Sequence, residues 1–159
     1  MAESDRISEL AGRLLRVRWV VRAPIWLYRA GLGFLFGNRM LLLEHRGRRS
    51  GEVRHVVLEV VDRPSADSYV IVSGFGKGSQ WCRNVLADPQ VRITVGWRRK
   101  SPAVAELLPD DAAESVLGRY AERHPRAWQH LRHTLEAASD TTPLQLPMFA
   151  VRVASRCAD

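Results

Sequence analysis

A short cationic loop carries the densest concentration of usable chemistry in this chain. Between Glu44 and His55 the sequence groups Arg46, Arg48, Arg49 and Arg54 around Gly47, Ser50 and Gly51. Guanidinium groups present fixed forks of donors that match phosphate and carboxylate oxygens, and glycine leaves nearby backbone N–H groups accessible. These residue types suit an anionic tail bearing phosphate or carboxylate groups. Taken alone, the loop is equally consistent with a solvated hairpin tip.

A second segment, Val70 to Ser79, reads as a strand, a glycine-rich turn and the start of a helix. Backbone amides at a helix start bind anions without special side chains. The glycine spacing is neither that of a dinucleotide fingerprint nor that of a phosphate-binding Walker loop. The segment is therefore read as a second anion- or ring-binding edge, or as a flexible turn. Trp81 and Asn84 follow, three residues apart and so on one helix face. Of the five histidines, only His130 and His133 share a helix face, and no third ligand stands at metal-like spacing, so no metal is expected. Cys82 lacks an activating partner and no Ser/His/Asp arrangement is legible, which argues against hydrolytic catalysis.

The elements that must position these residues are mostly strands. Ile7, Leu10, Leu14, Val17 and Val21 recur at helical spacing, predicting an amphipathic helix from about Ser4 to Arg22. An apolar, aromatic stretch from Ala23 to Gly37 follows. Between Leu10 and Leu43 there are arginines and no acidic residue, a pattern that fits a membrane interface or a basic cover on the domain. Strands are expected at Met40–His45, Val53–Val61, Tyr69–Ser73, Val91–Gly96, Ala103–Leu108 and Met148–Val153, with a turn at Pro64 to Asp67. Helices are expected at Ser79–Leu86, from Pro109-Asp110-Asp111 to about Arg123, and from Pro125 to about Ala138. The order predicts an α+β protein built on a small barrel of about six strands, with a basic arm over 1–38 and the barrel over 39–159.

Composition narrows the partners. The chain has 159 residues, a formal net charge of +7 and a pI near 10.4, which favours anionic ligands. Lys77 and Lys100 are its only lysines. Cys82 and Cys157 are far apart, which fits a reducing cytoplasm. The acidic start is unlike a secretory signal, and no apolar run reaches the ~18 residues needed to span a bilayer. The arginines are scattered without an aromatic stacking platform, so no nucleic-acid partner is expected.

Two of these segments together resemble a known family. Leu41-Leu42-Leu43-Glu44-His45-Arg46-Gly47-Arg48-Arg49-Ser50-Gly51-Glu52-Val53-Arg54 resembles the G-R-K-S-G-x-x-R signature of the deazaflavin-dependent nitroreductase and quinone reductase family. Trp81-Cys82-Arg83-Asn84-Val85-Leu86-Ala87-Asp88-Pro89 resembles its W-x-x-N-L-x-A-N-P segment. The resemblance implies a split, FMN-binding-like β-barrel that binds coenzyme F420 rather than FMN. It places Arg48, Arg49, Ser50, Gly51 and Arg54 at the anionic tail, and Ser73, Lys77, Trp81, Cys82 and Asn84 at the phosphate and the deazaflavin ring. Arg49 replaces a lysine and keeps the charge. The late tyrosine cluster of the family is not reproduced in the run from Tyr120 to His130.

The expected activity is hydride transfer from reduced F420 to a planar small-molecule acceptor such as a quinone or nitroaromatic. Tyr120, His124 or Ser73 would donate a proton or hydrogen bond to the developing anion. The alternative is a non-catalytic deazaflavin- or lipid-binding protein on the same barrel. A monomer or homodimer is expected in the cytoplasm, with peripheral contact at the inner face of an anionic plasma membrane.

Overall fold

Apolar residues at alternate positions of β1 (Met40–Arg46) turn Leu41, Leu43 and His45 to one side, where all three are buried. A strand with one dry face needs partners on both edges. Here β1 pairs antiparallel with β2 (Val53–Ser65) and with β4 (Gln90–Val95). In the computed structural model, which describes residues 25–73, 76–126, 128–129, 132 and 146–154, the ladder closes completely. Its order is β1-β2-β3-β6-β5-β4, with β3 at Ser68–Val72, β5 at Arg98–Leu107 and β6 at Met148–Val153. Closure removes free sheet edges and gives a rigid base for the connecting loops. The predicted helix at 4–22, Gly74, Phe75, His130, His133 and Cys157 lie outside the described residues, as does most of the helix expected after Pro125.

The barrel interior is filled by Leu41, Leu43, Tyr69, Ile71, Ile93, Phe149 and their neighbours. Helix α1 (Gln80–Ala87) adds Trp81, Cys82 and Val85 to this cluster, so its apolar face plugs one part of the barrel. Helix α2 (Asp110–Arg123) packs Val116 and Tyr120 on a second cluster with Val61, Val70, Val72 and Met148. Acidic Asp110 and Asp111 in its first turn and Arg123 in its last suit the helix dipole. Arg119 and Arg123 clasp Asp62 of β2 at 2.9 and 3.2 Å. Burial works to raise the Asp62 carboxyl, but the hydrogen bonds from both guanidiniums prevail and hold it below its ordinary range.

Two strand boundaries differ from expectation. The turn expected at Pro64 begins later, because β2 runs on through Pro64 to Ser65. Register shifts between Val60 and Asp62 and again between Asp62 and Ser65 place that proline in bulged backbone, where its missing N–H costs little. The fifth strand starts at Arg98, not Ala103, and passes through Pro102, held extended between its two neighbours.

The chain before β1 lies against the barrel. Residues 25–29 are helical, a 3₁₀ turn follows at Gly33–Phe36, and Tyr28 is buried with its hydroxyl donating to the Met40 carbonyl at 2.8 Å. Gly96 donates its backbone N–H to the Gly37 carbonyl at 3.0 Å, tying this segment to the β4–β5 hairpin.

Phe149 is fully buried and its ring meets that of Trp81 at 5.4 Å, joining barrel and α1. Phe149→Ala should cost about 3–5 kcal/mol of stability, read by urea denaturation, with most of the cost from the cavity left behind.

Candidate functional site

The loop between β1 and β2 is shaped by its glycines. Gly51 sits at φ +69°, and a β-carbon on Gly47 would come within 2.7 Å of the Ser50 hydroxyl oxygen. Gly47 donates its N–H to the Glu52 carbonyl at 2.8 Å, Gly51 to the Gly47 carbonyl at 2.7 Å, and Glu52 to the Ser50 hydroxyl at 3.3 Å. These amides are consumed inside the loop. The two glycine N–H groups are therefore taken up by the turn itself, and the guanidiniums beside them supply most of the loop's donors.

A buried amide fixes those side chains to the barrel. Asn84 of α1 accepts at Oδ1 from the Arg48 backbone N–H at 3.1 Å and from the Arg48 guanidinium at 3.0 Å. Arg48 also donates to Gln80 Oε1, one helical turn away, at 3.0 Å. On the opposite side Asn84 Nδ2 lies 3.3 Å from His45 Nδ1. Because Nδ2 can only donate, Nδ1 is the acceptor and the imidazole is neutral. Burial first, and then the charges of His55 and Arg54, push the His45 imidazole down to about 4. The two Arg48 donors thus set which way the Asn84 amide faces, and neutral His45 accepts its remaining hydrogen.

The resulting cleft, about 330 Å³, is lined by Gly47, Arg48, Arg49, Ser50, Arg54, Gln80, Arg83 and Asn84. Among the described residues four guanidiniums and no carboxylate line it. A second cleft of about 590 Å³ adjoins it through Arg54, Gln80 and Asn84. It has apolar and aromatic walls, including Ile25, Trp26, Val53, Val56 and Trp81, together with His45 and His55. Across β1 and β2, His55 Nε2 faces Glu44 Oε2 at 3.4 Å, with both side chains about a quarter exposed or less.

Arg48, Arg49, Ser50, Gly51, Arg54 and Asn84 therefore converge at or beside one cleft, and Trp81 walls its neighbour. Cys82 does not join them. Its thiol points into the barrel core, and burial pushes it up from its ordinary pKa, so the expectation of a ring contact there is corrected. Ser73 is buried at the end of β3, sharing a 2.9 Å hydrogen bond with Ser79. Exposed Lys77 lines a separate cavity of about 90 Å³ beside α2. Tyr120 is 3% exposed and donates its hydroxyl to Glu59 Oε1 at 2.8 Å. Burial, reinforced by that carboxylate, pushes Tyr120 up to about 12. The His124 ring leans on Tyr120 at 5.1 Å, and neither residue lines the arginine cleft or its neighbour. Gln80, Arg83 and His45 were missed as site residues. Their signals are spacing of three and four to Arg83 and Asn84 on α1, and alternation with Leu41 and Leu43 on β1. Among the described residues no group of His, Cys, Asp and Glu side chains converges on a metal position.

The comparisons with known proteins agree on a family. A model of the F420H(2)-dependent quinone reductase family matches residues 20–136. A protein of Mycobacterium tuberculosis inferred to be an F420H(2)-dependent quinone reductase is 31% identical over 86 residues, covering 54% of this chain and 72% of that protein. Among solved structures, an F420-H2 dependent reductase superposes with a TM-score of 0.54 at 24% identity, covering 73% of this chain and 96% of that one. A chain described as a domain-swapped dimer gives 0.56 at 21% identity, covering 86% and 99%. At these identities the two structures bear on the fold alone.

Unfolded chain takes a proton on His45 as pH falls through about 6.5, whereas the folded chain stays neutral there until about 4. The stabilising contribution is complete above 6.5 and is lost as pH falls towards 4, by on the order of 2–3 kcal/mol. Denaturation at pH 7 and pH 5 should show this loss, and His45→Gln, which keeps an acceptor without a titration, should flatten it.

Proposed function

The chain belongs to the F420H(2)-dependent quinone reductase family, and from that premise we propose that the arginine cleft and its aromatic neighbour form the coenzyme site of a reductase acting on quinones. The observation that carries the assignment is the cleft itself, with four guanidiniums, no carboxylate, and Arg48 locked by Asn84. Those groups fit a tail of phosphodiester and glutamate carboxylates. The adjoining cleft, with Trp81 and Trp26, fits a planar ring system. When bound, reduced F420 supplies the hydride; the protein binds, orients and excludes water.

Arg48, Arg49 and Arg54 hold the tail anions, with Arg83 and Gln80 closing the helix side. Trp81 supports the ring, while Ile25, Val53 and Val56 keep that cleft dry. A quinone that accepts a hydride also takes up a proton to become a hydroquinone. His55 is the group in the aromatic cleft placed to deliver it, with Glu44 orienting the imidazole at Nε2. Tyr120 is committed to Glu59, which supports a structural part for it, and Ser73 is read as supporting the α1 start through Ser79. Membership of a reductase family also favours catalysis over the binding-only alternative. The acceptor class extends to nitroaromatics of similar shape. The lipophilic character of quinones supports work at a membrane surface, although no helix among the described residues is long and apolar enough to cross one.

Titration with F420, FMN and FAD side by side tests the cofactor site. Micromolar F420 binding that FMN does not match is expected, and the reverse order would sink the assignment. Arg49→Glu combined with Arg54→Glu should weaken F420 binding by on the order of a hundredfold or more, since each charged hydrogen bond contributes ~1.5–3 kcal/mol. For the proton, His55→Gln should lower kcat by on the order of a hundredfold while leaving F420 affinity within about twofold.

A further inference from the structure

The β4–β5 hairpin carries features that the coenzyme clefts leave unused. Trp97 at its tip is 86% exposed, and its ring stacks on Phe34 with centroids 5.0 Å apart and planes 7° apart. Leu32 and Leu35 stand exposed in the same segment as Phe34. A cluster of large apolar side chains held in water marks an interaction surface.

Beside this rim lies a cavity of about 720 Å³ lined by Phe34 and Trp97 and by four cations, Arg29, Arg92, Arg99 and Lys100. Among the described residues its one carboxylate is Glu44, which lies 3.4 Å from His55 Nε2. Among the described residues none of the four cations forms an ion pair. Lys100 also sits at φ +43°, the one non-glycine residue of positive φ in the described chain. Such a conformation is strained for lysine and persists where surroundings impose it; here Thr94 Oγ1 accepts the Lys100 N–H at 3.1 Å. Arg99 donates to the Gly31 carbonyl at 3.3 Å and Arg29 lies over the Trp26 ring, so these two are placed by the arm while their charge has no carboxylate partner. Aromatic rim, cations without a counter-charge and imposed backbone are three separate observations at one place.

We propose that this face docks on an anionic phospholipid surface, with Trp97, Phe34 and Leu35 entering the interface and Arg92, Arg99 and Lys100 meeting headgroup phosphates. Indole rings settle at the headgroup level, and cations beside them add attraction to anionic lipid. The exposed leucines decide against nucleic acid, which offers them nothing to displace water with. The cavity shares Arg29 and His55 with the aromatic cleft, so docking sets that cleft beside lipid-dissolved quinones and to that extent rests on the acceptor class proposed above.

Sedimentation of the full chain with phosphatidylcholine vesicles, with and without phosphatidylglycerol, tests the surface. Two variants are needed: Trp97→Ser, whose side chain is too exposed to hold the fold, and Arg92→Glu with Lys100→Glu. Wild type should bind the anionic vesicles only, and each variant should lose on the order of tenfold in affinity or more. Turnover of a water-soluble short-chain quinone should be unchanged in both. Anionic-vesicle binding that survives in both variants overturns the proposal, as does a wild type that ignores those vesicles or binds duplex DNA in their place. Wild-type vesicle binding lost in the variants, with no turnover of any quinone, supports the docking surface and defeats the acceptor reading instead.

Discussion

One buried amide ties the candidate site together. Asn84 is 3% exposed, and a buried amide left unpaired costs about 1–3 kcal/mol for each group stranded, so its hydrogen bonds have to be met. They are met by three groups on two elements: the backbone N–H and the guanidinium of Arg48 at the tip of the β1–β2 loop, and the His45 imidazole on β1. Rotate the amide by half a turn and both Arg48 contacts become donor against donor. The two Arg48 donors therefore decide the direction, and the neutral imidazole answers with an unprotonated Nδ1. A protonated His45 would present a donor to a donor, and the depression of its titration by burial and by the neighbouring charges removes that state at ordinary pH.

From this point the other requirements follow in order. Arg48 can be held only if the loop tip comes close to α1, which demands the tight turn that Gly47 and Gly51 allow. Helix α1 can present Asn84 and Gln80 only because Trp81, Cys82 and Val85 pull its other face into the core. The barrel then has to be stiff, and complete closure of the six-stranded ladder makes it so. Binding groups on loops over a rigid scaffold are a common solution, because loops tolerate the charge density that a packed core does not. The cluster of like charges is self-repelling when empty. That energy is relieved when anions enter, which makes affinity strongly dependent on ionic strength.

Much of this was legible from residues alone, and the reasons differ from element to element. The cationic loop and the Trp81–Asn84 pair stood out through local signals, turn chemistry in one case and helix spacing in the other, but each had a plain structural reading, and only their joint resemblance to one family pointed to a ligand. The barrel was visible in short alternating strands separated by turn residues. Where reading failed, the deciding contact was remote in sequence. Cys82 was read as facing a ligand, yet which face of α1 turns inward depends on how the helix meets Phe149, more than sixty residues on. Tyr120 was read as a proton donor, but its hydroxyl is claimed by Glu59 on a strand far earlier in the chain. Pro64 signalled a turn, and the fifth strand was expected to start only at Ala103, but pairing on neighbouring strands carries both strands further. Lys77 and Ser73 belong to a turn whose middle, residues 74–75, lies outside the described chain.

The charge on β1 and β2 is partitioned in a way that constrains how the protein works. Inward-facing His45 holds Asn84 beside the arginine cleft, and outward-facing Glu44 and His55 stand between the aromatic cleft and the cationic cavity under Trp97. Among the described residues Glu44 is the one carboxylate lining either the arginine cleft, the aromatic cleft or that cavity. Its register partners are His55 on one side and Arg92 on the other, so it lies where two positive fields would otherwise meet. In a site of intermediate dielectric a unit charge at about 4 Å is felt at roughly 4 kcal/mol. A carboxylate so placed lowers the positive potential between the two regions, whose guanidiniums are different ones: Arg48, Arg49, Arg54 and Arg83 in the arginine cleft, and Arg29, Arg92 and Arg99 in the cavity. The proposed coenzyme site and the proposed docking face therefore draw on separate arginines.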